Sequence, residues 1–216
     1  SGYSEPANWN RLIVAPIWMK KRFLEMIHRE TKNAKEGKPA KIIAKCNSLC
    51  DRKIILALYE ASCAGVQVDL IVRGICCLVA GKPGVSENIR VRSIVGTFLE
   101  HARIFYFYND GHEEIYMGSA DWMPRNLDRR VEIVFPVEEE ELKEKAKHIL
   151  DVQLSDTLKA HRLLEDGTYQ KVDRRGKEAI EAQKTFCEEA IAAANESKKK
   201  VPKKRTFDPR FSPQEE

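Results

Sequence analysis

The sequence predicts an α/β fold in which a mixed sheet lies between layers of helices. The run VDLIV at 68–72 is almost continuously apolar and β-branched, which is typical of a strand covered on both faces. A strand, a helix and this second strand follow one another between 40 and 72, as in a βαβ unit. The short runs RIFYF and EEIYMG flank YNDGH, whose Asn-Asp-Gly sequence suits a hairpin turn. We therefore expect sheet strands at 42–45, 68–72, 104–107, 114–117 and 131–135.

Helices are predicted in four places. Apolar residues recur at helical spacing from 17 to 33, and Asp51 is placed to cap a helix that ends at Gly65. The segment EEEELKEKAKHIL has acids before bases, as the helix dipole favours, and a last helix is expected from 177 to 194. Between these two helices, 155–171 is expected to be extended around a turn at Asp166 and Gly167.

Composition narrows the functional classes. The 216 residues are 43% hydrophobic, enough for one good core, and 37 basic against 33 acidic residues leave a net charge of only +4. No global field predicts a nucleic-acid binder. No apolar run reaches the roughly 18 residues that span a bilayer, and no leader-like segment is present, so we expect a soluble, cytoplasmic protein.

The cysteines do not follow a strong metal-ligand pattern. Cys46 and Cys50 have the spacing of half a metal site, but no second pair follows at ligand spacing. The favoured interpretation is that all six behave as small buried hydrophobic residues in a reducing compartment: Cys46, Cys50, Cys63, Cys76, Cys77 and Cys187.

Three residues are the candidates for an anion-binding site. Arg73, His101 and Arg130 each adjoin a predicted strand and are spaced 28 and 29 residues apart. Ligands of open α/β sheets bind outside the carboxyl ends of the strands. Lys45 and Asn47 follow the first strand of the βαβ unit, where they either line this pocket or are an ordinary surface lysine and turn asparagine.

The residue types suit phosphate chemistry. A neutral imidazole attacks phosphorus or passes a proton to a leaving oxygen, and nearby cations must hold the anionic group. Arginine does this best because its planar fork binds two phosphate oxygens at once. Taken singly, His101 has a structural alternative, as the cap of a helix ending in FLEH. Together with Arg73, Arg103, Ser119 and Arg130, the functional interpretation is preferred.

The runs IVRGICCL, SENIRVRSIVGTFLEHARIFYF and GSADWMPRNLDRRVE resemble the C-terminal catalytic domain of bacterial polyphosphate kinases, within the phospholipase D-like superfamily. The resemblance covers about 13–156. His101-x-Arg103 and the segment 118–121 resemble, in degenerate form, the His-x-Lys and Gly-Ser-x-Asn elements of that superfamily. The implied fold is a phospholipase D-like mixed sheet sandwiched by helices, with a C-terminal helix and a basic tail.

The resemblance also implies an activity. Such kinases reversibly transfer the terminal phosphoryl group of ATP to inorganic polyphosphate, with Mg²⁺, through a phosphohistidine in the preceding domain. His101 matches the second active-site histidine of the family, which we expect to do acid/base or phosphoryl-stabilising work. Arg73 and Arg130 are expected to bind the phosphates of ATP or polyphosphate.

The expected organisation follows from the same resemblance. Residues 1–16 would form the junction with a missing preceding domain, 17–195 the catalytic domain, and 196–216 a disordered basic, proline-rich tail. Expected partners are ATP, ADP, polyphosphate, the N-terminal domains of the same polypeptide and further copies of the chain, but no specific nucleic acid. The location would be cytoplasmic or peripheral at the inner membrane. Alone, the fragment is expected to be inactive.

Two alternatives remain at this stage. One is a phosphodiesterase of the phospholipase D or nuclease type, using His101 and Ser119. Against it, the complete motif needs a lysine where Arg103 stands, and arginine is a poor proton donor. The other is a polyanion-binding module without chemistry, whose tail at 198–205 holds polyphosphate or RNA.

Overall fold

The computed structural model describes residues 9 and 11–200, with side chains as far as 197. Nine strands form one sheet: β1 (Ile13–Ala15), β2 (Lys41–Cys46), β3 (Gln67–Val72), β4 (Ile89–Ile94), β5 (Ile104–Phe107), β6 (Glu114–Gly118), β7 (Glu132–Pro136), β8 (Ala160–Leu163) and β9 (Tyr169–Lys171). The helices are α1 (Met19–Lys35), α2 (Arg52–Cys63), α3 (Pro124–Asp128), α4 (Glu140–Ser155) and α5 (Ala182–Lys200). No described helix is long and apolar enough to cross a membrane.

The strand order is β1-β7-β6-β5-β2-β3-β4-β8-β9. β2, β3 and β4 run parallel, and the other neighbouring pairs are antiparallel. These directions bring the carboxyl ends of β2, β3 and β6 to the same edge as the amino ends of β5 and β7. We call this the carboxyl edge. It contains the residues that directly follow 46, 72 and 118 and those that directly precede 104 and 132. Since the sheet has both parallel and antiparallel neighbours, the predicted mixed α/β sheet is confirmed.

Two apolar layers hold the sheet between its helices. On one face α1 and α2 pack over a cluster centred on three aromatic rings, Phe23, Phe105 and Trp122, whose centroids lie 4.7 to 5.5 Å apart. On the other face, Leu150 of α4 packs on strand residues that include Ile71. Because both faces are covered, the central strands are apolar on both sides, as the VDLIV run predicts.

The βαβ unit forms as the sequence predicts. The carboxylate of Asp51 accepts hydrogen bonds from the backbone N–H groups of Lys53 and Ile54, 3.0 and 3.1 Å away, and thereby caps α2. Past the end of the helix, Gly65 has a φ of +96°, a conformation that favours glycine. The predicted cap and stop of α2 are both confirmed.

The C-terminal elements differ from the prediction in their limits. The extended segment is the β8–β9 hairpin, with its turn at Gly167 as predicted. However, α5 begins at Ala182 rather than at 177, because the Asp156 carboxylate accepts the Ala182 N–H at 2.8 Å and sets the first turn there. The helix continues to Lys200, into the segment expected to be disordered, since its Ala- and Glu-rich sequence favours helix. The rest of the tail lies outside the described residues.

The interpretation of the cysteines as uniformly buried is wrong. All six are free thiols, but only Cys46 is buried, and Cys63, Cys77 and Cys187 are exposed. The exposed ones lie at a helix end, in a loop or on the outer side of α5, where small size alone does not produce burial.

The strand β1 pairs with β7 and so adds residues of the 1–16 segment to the sheet.

Asp51 provides a test of how α2 is held. Besides capping the helix, its buried carboxylate lies 2.7 Å from Lys20 of α1. We expect Asp51→Ala to lower the free energy of unfolding by about 1–2 kcal/mol, measured by urea denaturation. The matched control is Asp128→Ala, which removes the other, partly exposed carboxylate partner of Lys20 and caps no helix. Equal losses in the two variants would contradict the capping role.

Candidate functional site

A buried ion pair lies directly beneath the carboxyl edge. The guanidinium of Arg103 donates two hydrogen bonds to the carboxylate of Asp121, through Nε and Nη2, both 3.1 Å long. Asp121 Oδ1 also accepts the backbone N–H of Asn47 at 2.8 Å, and Arg103 Nη1 donates to the carbonyl of His101 at 2.9 Å. One ion pair therefore fixes the backbone of two segments that carry candidate site residues.

The amide of Asn47 joins Arg73 to His101. Its Oδ1 accepts hydrogen bonds from Arg73 Nε and Nη2, 3.1 and 2.8 Å away. The amide oxygen is thereby occupied, so Nδ2 is the group that faces His101 Nδ1 at 3.3 Å and must donate. A neutral imidazole that accepts at Nδ1 carries its proton on Nε2. The geometry thus leaves an N–H on the outer nitrogen of the ring.

Arg73 and His101 are held but not enclosed. Arg73 is half-buried and His101 is exposed, whereas Asn47 between them is only 7% exposed. Within the described part of the chain, Nη1 of Arg73 has no acceptor. A guanidinium anchored at one side and open at the other is suited to bind an anion at the edge.

Glu100, next to His101, is tied to three elements. Its carboxylate receives Lys45 Nζ of β2 at 3.1 Å, Gln153 Nε2 of α4 at 2.9 Å and Gln183 Nε2 of α5 at 3.1 Å. Burial of Glu100 opposes ionisation, but the hydrogen bond from Gln183 and the nearby Lys45 outweigh it and lower the pKa of the carboxyl group. Burial lowers the pKa of Lys45, against the attraction of Glu100.

The segment that carries His101 is a loop. Residues 95–103 contain no helix, so the alternative that His101 caps a helix ending in FLEH is wrong. The loop is held instead by Gln183, whose side chain accepts the N–H of Phe98 at 2.9 Å and donates to its carbonyl at 2.8 Å. Gly96 leaves room for this contact, because a Cβ there would lie 2.4 Å from Gln183 Oε1.

The Arg130 side of the site is a separate cluster. Buried Glu132 accepts hydrogen bonds from the Ser119 hydroxyl and from Asn126 Nδ2. Arg130 is exposed and lies just before β7. Because β7 is four strand positions from β3, the chain at Arg130 and at Arg73 is separated by roughly 19 Å at the level of the strands.

The structure thus sorts the sequence candidates into four groups. Arg73 and His101 are brought together through Asn47, while Arg130 lies at the same edge without a contact to them among the described residues. Ser119 is exposed at the edge with its hydroxyl bonded to Glu132. Lys45 and Arg103 do not line the pocket; they are buried and paired with acids.

Sequence reasoning did not single out the acids and amides that organise the edge. These are Glu100, Asn126, Glu132, Gln153 and Gln183, whereas Asp121 was part of the motif at 118–121 but had no role assigned. A signal was present for some of them, because Glu132 interrupts the apolar run VEIVF and Glu100 directly precedes the candidate histidine. For the two glutamines the helical pattern contains no comparable signal.

The donor set does not fit a protein-held metal ion. The described residues contain no group of three or more His, Cys, Asp or Glu side chains that could hold one. The buried carboxylates nearest the edge are already used, that of Asp121 by Arg103 and that of Glu132 by Ser119 and Asn126.

A sheet between helices, with arginine, histidine and amide groups at its carboxyl edge, is the arrangement of an α/β protein with a site for an anionic ligand. The family model described as polyphosphate kinase C-terminal domain 2 matches residues 12–183. The chain therefore belongs to the polyphosphate kinase family, which confirms the resemblance drawn from its motifs.

Relatives agree with this assignment. A polyphosphate kinase of Synechocystis is 52% identical over 197 residues, covering 91% of this chain and 27% of the relative. One from Pseudomonas putida is 56% identical over 168 residues, covering 78% of this chain and 23% of the relative. The crystal structure of polyphosphate kinase from Porphyromonas gingivalis superposes with a TM-score of 0.85 and 40% identity, covering 90% of this chain and 30% of that one. The chain spans about a quarter of the length of the relatives it matches.

The Glu100 cluster predicts a pH-dependent stability. At neutral pH, Glu100→Gln leaves Lys45 buried without its carboxylate, which should cost about 1–3 kcal/mol in a denaturation experiment. Because the folded pKa of Glu100 is below its ordinary 4.5, this contribution is present above that value and lost as the pH falls through the folded pKa.

Wild type and Glu100→Gln should therefore converge in stability at low pH, where Glu100 is also neutral. The exposed Glu25→Gln serves as the control and should change the stability little throughout. A difference between wild type and Glu100→Gln that stays constant down to pH 3 would contradict the ionised pair.

Proposed function

We propose that this chain is the phosphate-binding C-terminal part of a polyphosphate kinase. The whole enzyme would reversibly transfer the terminal phosphoryl group of ATP to inorganic polyphosphate through a phosphohistidine in a preceding domain. The observation that carries the proposal is the Asn47 amide, which presents Arg73 and His101 together at the carboxyl edge. Electrostatic positioning of this kind supplies most of the catalysis in phosphoryl transfer.

Arg73 would hold a phosphoryl group through its open side. Anchoring by Asn47 restricts the guanidinium before the ligand arrives, so less side-chain entropy is lost on binding. Its charge also stabilises the negative charge that spreads over the phosphoryl oxygens during transfer.

His101 would act through its outer nitrogen. With Nδ1 facing the Asn47 amide, the Nε2–H is free to donate to a phosphate oxygen or to pass a proton to a leaving oxygen. A ring that carries its proton on Nε2 is not itself a nucleophile at that atom. This favours a supporting role for His101 and agrees with placing the phosphorylated histidine in another domain.

Arg130 would bind a different part of the substrate from Arg73. Their strands are separated by roughly 19 Å, so both guanidinium groups would bind the same phosphate only if both side chains extended fully towards one another. An extended anionic substrate, such as ATP aligned with a polyphosphate chain, spans such a distance and matches two separate arginine sites.

The position of Arg103 disfavours the phosphodiesterase alternative. That chemistry needs a lysine-like cation two residues after the histidine, facing the substrate. Here Arg103 is buried, and all three of its guanidinium nitrogens donate hydrogen bonds: Nε and Nη2 to Asp121, and Nη1 to the carbonyl of His101. The tail at 198–205, on which the polyanion-module alternative rests, has no described side chains.

The remaining expectations derive from the family. Mg²⁺ would come with the phosphates of the nucleotide, since the described residues do not form a site for it. Domains preceding this one, further copies of the chain, and a cytoplasmic location or one peripheral to the inner membrane stay predictions.

The arginines are tested in an intact kinase that contains this chain. Arg73→Ala and Arg130→Ala each remove a charge-assisted phosphate contact, which contributes roughly 1.5–3 kcal/mol. Each should weaken nucleotide or polyphosphate use about ten- to a hundredfold in a polyphosphate synthesis assay. Lysine at either position should restore only part of the loss.

The matched control for the arginine variants is Arg22→Ala on α1, whose exposed guanidinium binds only Glu25 among the described residues. It should leave synthesis unchanged. If Arg73→Ala were as active as this control, the assignment of Arg73 to phosphate binding would fail.

His101→Gln separates binding from transfer. Glutamine keeps the size and hydrogen-bonding capacity of the side chain but passes no proton, so turnover should fall at least about tenfold while ATP affinity by calorimetry stays nearly the same. The control is His112→Gln, an exposed histidine in the β5–β6 turn at the opposite end of the strands. Full turnover by His101→Gln would exclude a chemical role.

A further inference from the structure

A second basic region lies on the face of the sheet opposite α1. It is a cavity of about 500 Å³ formed by β4, β8, β9 and the loop that follows, which we call the basic groove. Its volume is within the range of small-ligand sites. Six cationic side chains line it: Arg90, Arg92, Arg162, Lys171, Arg175 and Lys177.

Two of these arginines face one another across neighbouring strands. Arg92 of β4 is directly opposite Arg162 of β8 in the antiparallel register. Like charges in this position destabilise a sheet unless something compensates them. Burial lowers the pKa of the half-buried Arg92, and Arg90 and Arg162 lower it further against the opposing influence of Asp69 and Asp156.

The acids near the groove are already engaged. Asp69 binds Arg90 at 2.7 and 2.9 Å, and Asp173 binds Arg175 at 2.8 Å. The side-chain oxygens of Asp156 accept four backbone N–H groups, of residues 158–160 and 182.

Four cations of the groove are left without an acidic partner. Arg92 donates only to a backbone carbonyl, that of Asp156, at 3.2 Å. In the described part of the chain, Arg162, Lys171 and Lys177 form no salt bridge with any acid. The groove therefore has an unbalanced positive charge, which an anion would neutralise.

The lining also restricts the kind of anion. It contains no aromatic side chain on which a nucleobase would stack, and its apolar members are two valines, Val91 and Val172. Several cations spread along a groove suit a ligand with several linked phosphates better than a single phosphate. These features favour a phosphate chain without bases over RNA or a nucleotide.

We propose that the basic groove is a second binding site that holds a short stretch of inorganic polyphosphate away from the reacting end. The choice of polyphosphate as the ligand of the groove rests on the proposed function. Arg92 is laterally paired with Ile71, two residues before Arg73, which corresponds to about 7 Å along a strand. The groove is therefore close enough to the carboxyl edge to hold part of a chain whose end is at Arg73.

The test is calorimetric binding of sodium tripolyphosphate to the 216-residue chain in a background of Arg73→Ala and Arg130→Ala, which removes the arginines of the carboxyl edge. To this background we add Arg162→Gln with Lys177→Gln. The matched control adds Arg22→Gln with Lys32→Gln, which removes the same two charges from α1 on the other face of the sheet. Circular dichroism and thermal melts check the folding of each, and Lys171→Gln is a second, milder groove variant.

We expect tripolyphosphate to bind the background chain. The groove pair, Arg162→Gln with Lys177→Gln, should reduce the affinity about tenfold or more, and Lys171→Gln should reduce it less. The control pair on α1 should reduce it at most about twofold. Equal effects of the groove and control pairs would overturn the proposal, as would an absence of binding to the background chain. Groove-dependent binding of an oligouridylate with equal phosphate number, tighter than that of tripolyphosphate, would also overturn it in favour of RNA. Because the assay measures binding without turnover, and the arginines of the carboxyl edge are already removed, this result is independent of the kinase assays.

Discussion

The buried pair between Arg103 and Asp121 is the interaction on which the carboxyl edge depends. It joins the start of β5 to the loop after β6, and through its spare donor and acceptor it also holds the backbone of His101 and Asn47. A buried ion pair is costly to form, but removing one partner leaves an uncompensated charge in the interior. The position that resembles the lysine of the phospholipase D-like motif is therefore occupied in this chain by a buried arginine that is paired with Asp121.

Around that pair, the edge consists of two separate hydrogen-bonded clusters. Asn47, Arg73 and His101 form a linked set, and Glu100 ties the adjacent loop to β2, α4 and α5. The part near Arg130 depends instead on Ser119, Asn126 and Glu132 in a separate cluster. The proposed binding of an extended polyanion rests on this arrangement of two arginine sites along one edge with a basic groove beside it.

Much of the fold was predictable because it depends on local patterns. The five expected strands all occur, within one residue of their predicted limits, since apolar runs and turn residues are read over a few positions. The start of α5 was not predictable, because a distant carboxylate, that of Asp156, decides it. The burial of individual cysteines was likewise not predictable, since it depends on which elements pack over each thiol.

The sequence by itself determined the family, the α/β class, the capped α2 and the presence of arginine and histidine at strand ends. Only the tertiary structure decided which polar groups meet. Lys45 and Glu100 are 55 residues apart and Glu100 and Gln183 are 83 apart, so their contacts depend on the strand order and on the packing of α5. The physical reason is that local pattern sets conformation and burial, whereas a hydrogen bond needs two atoms within about 3 Å, which only the folded chain provides.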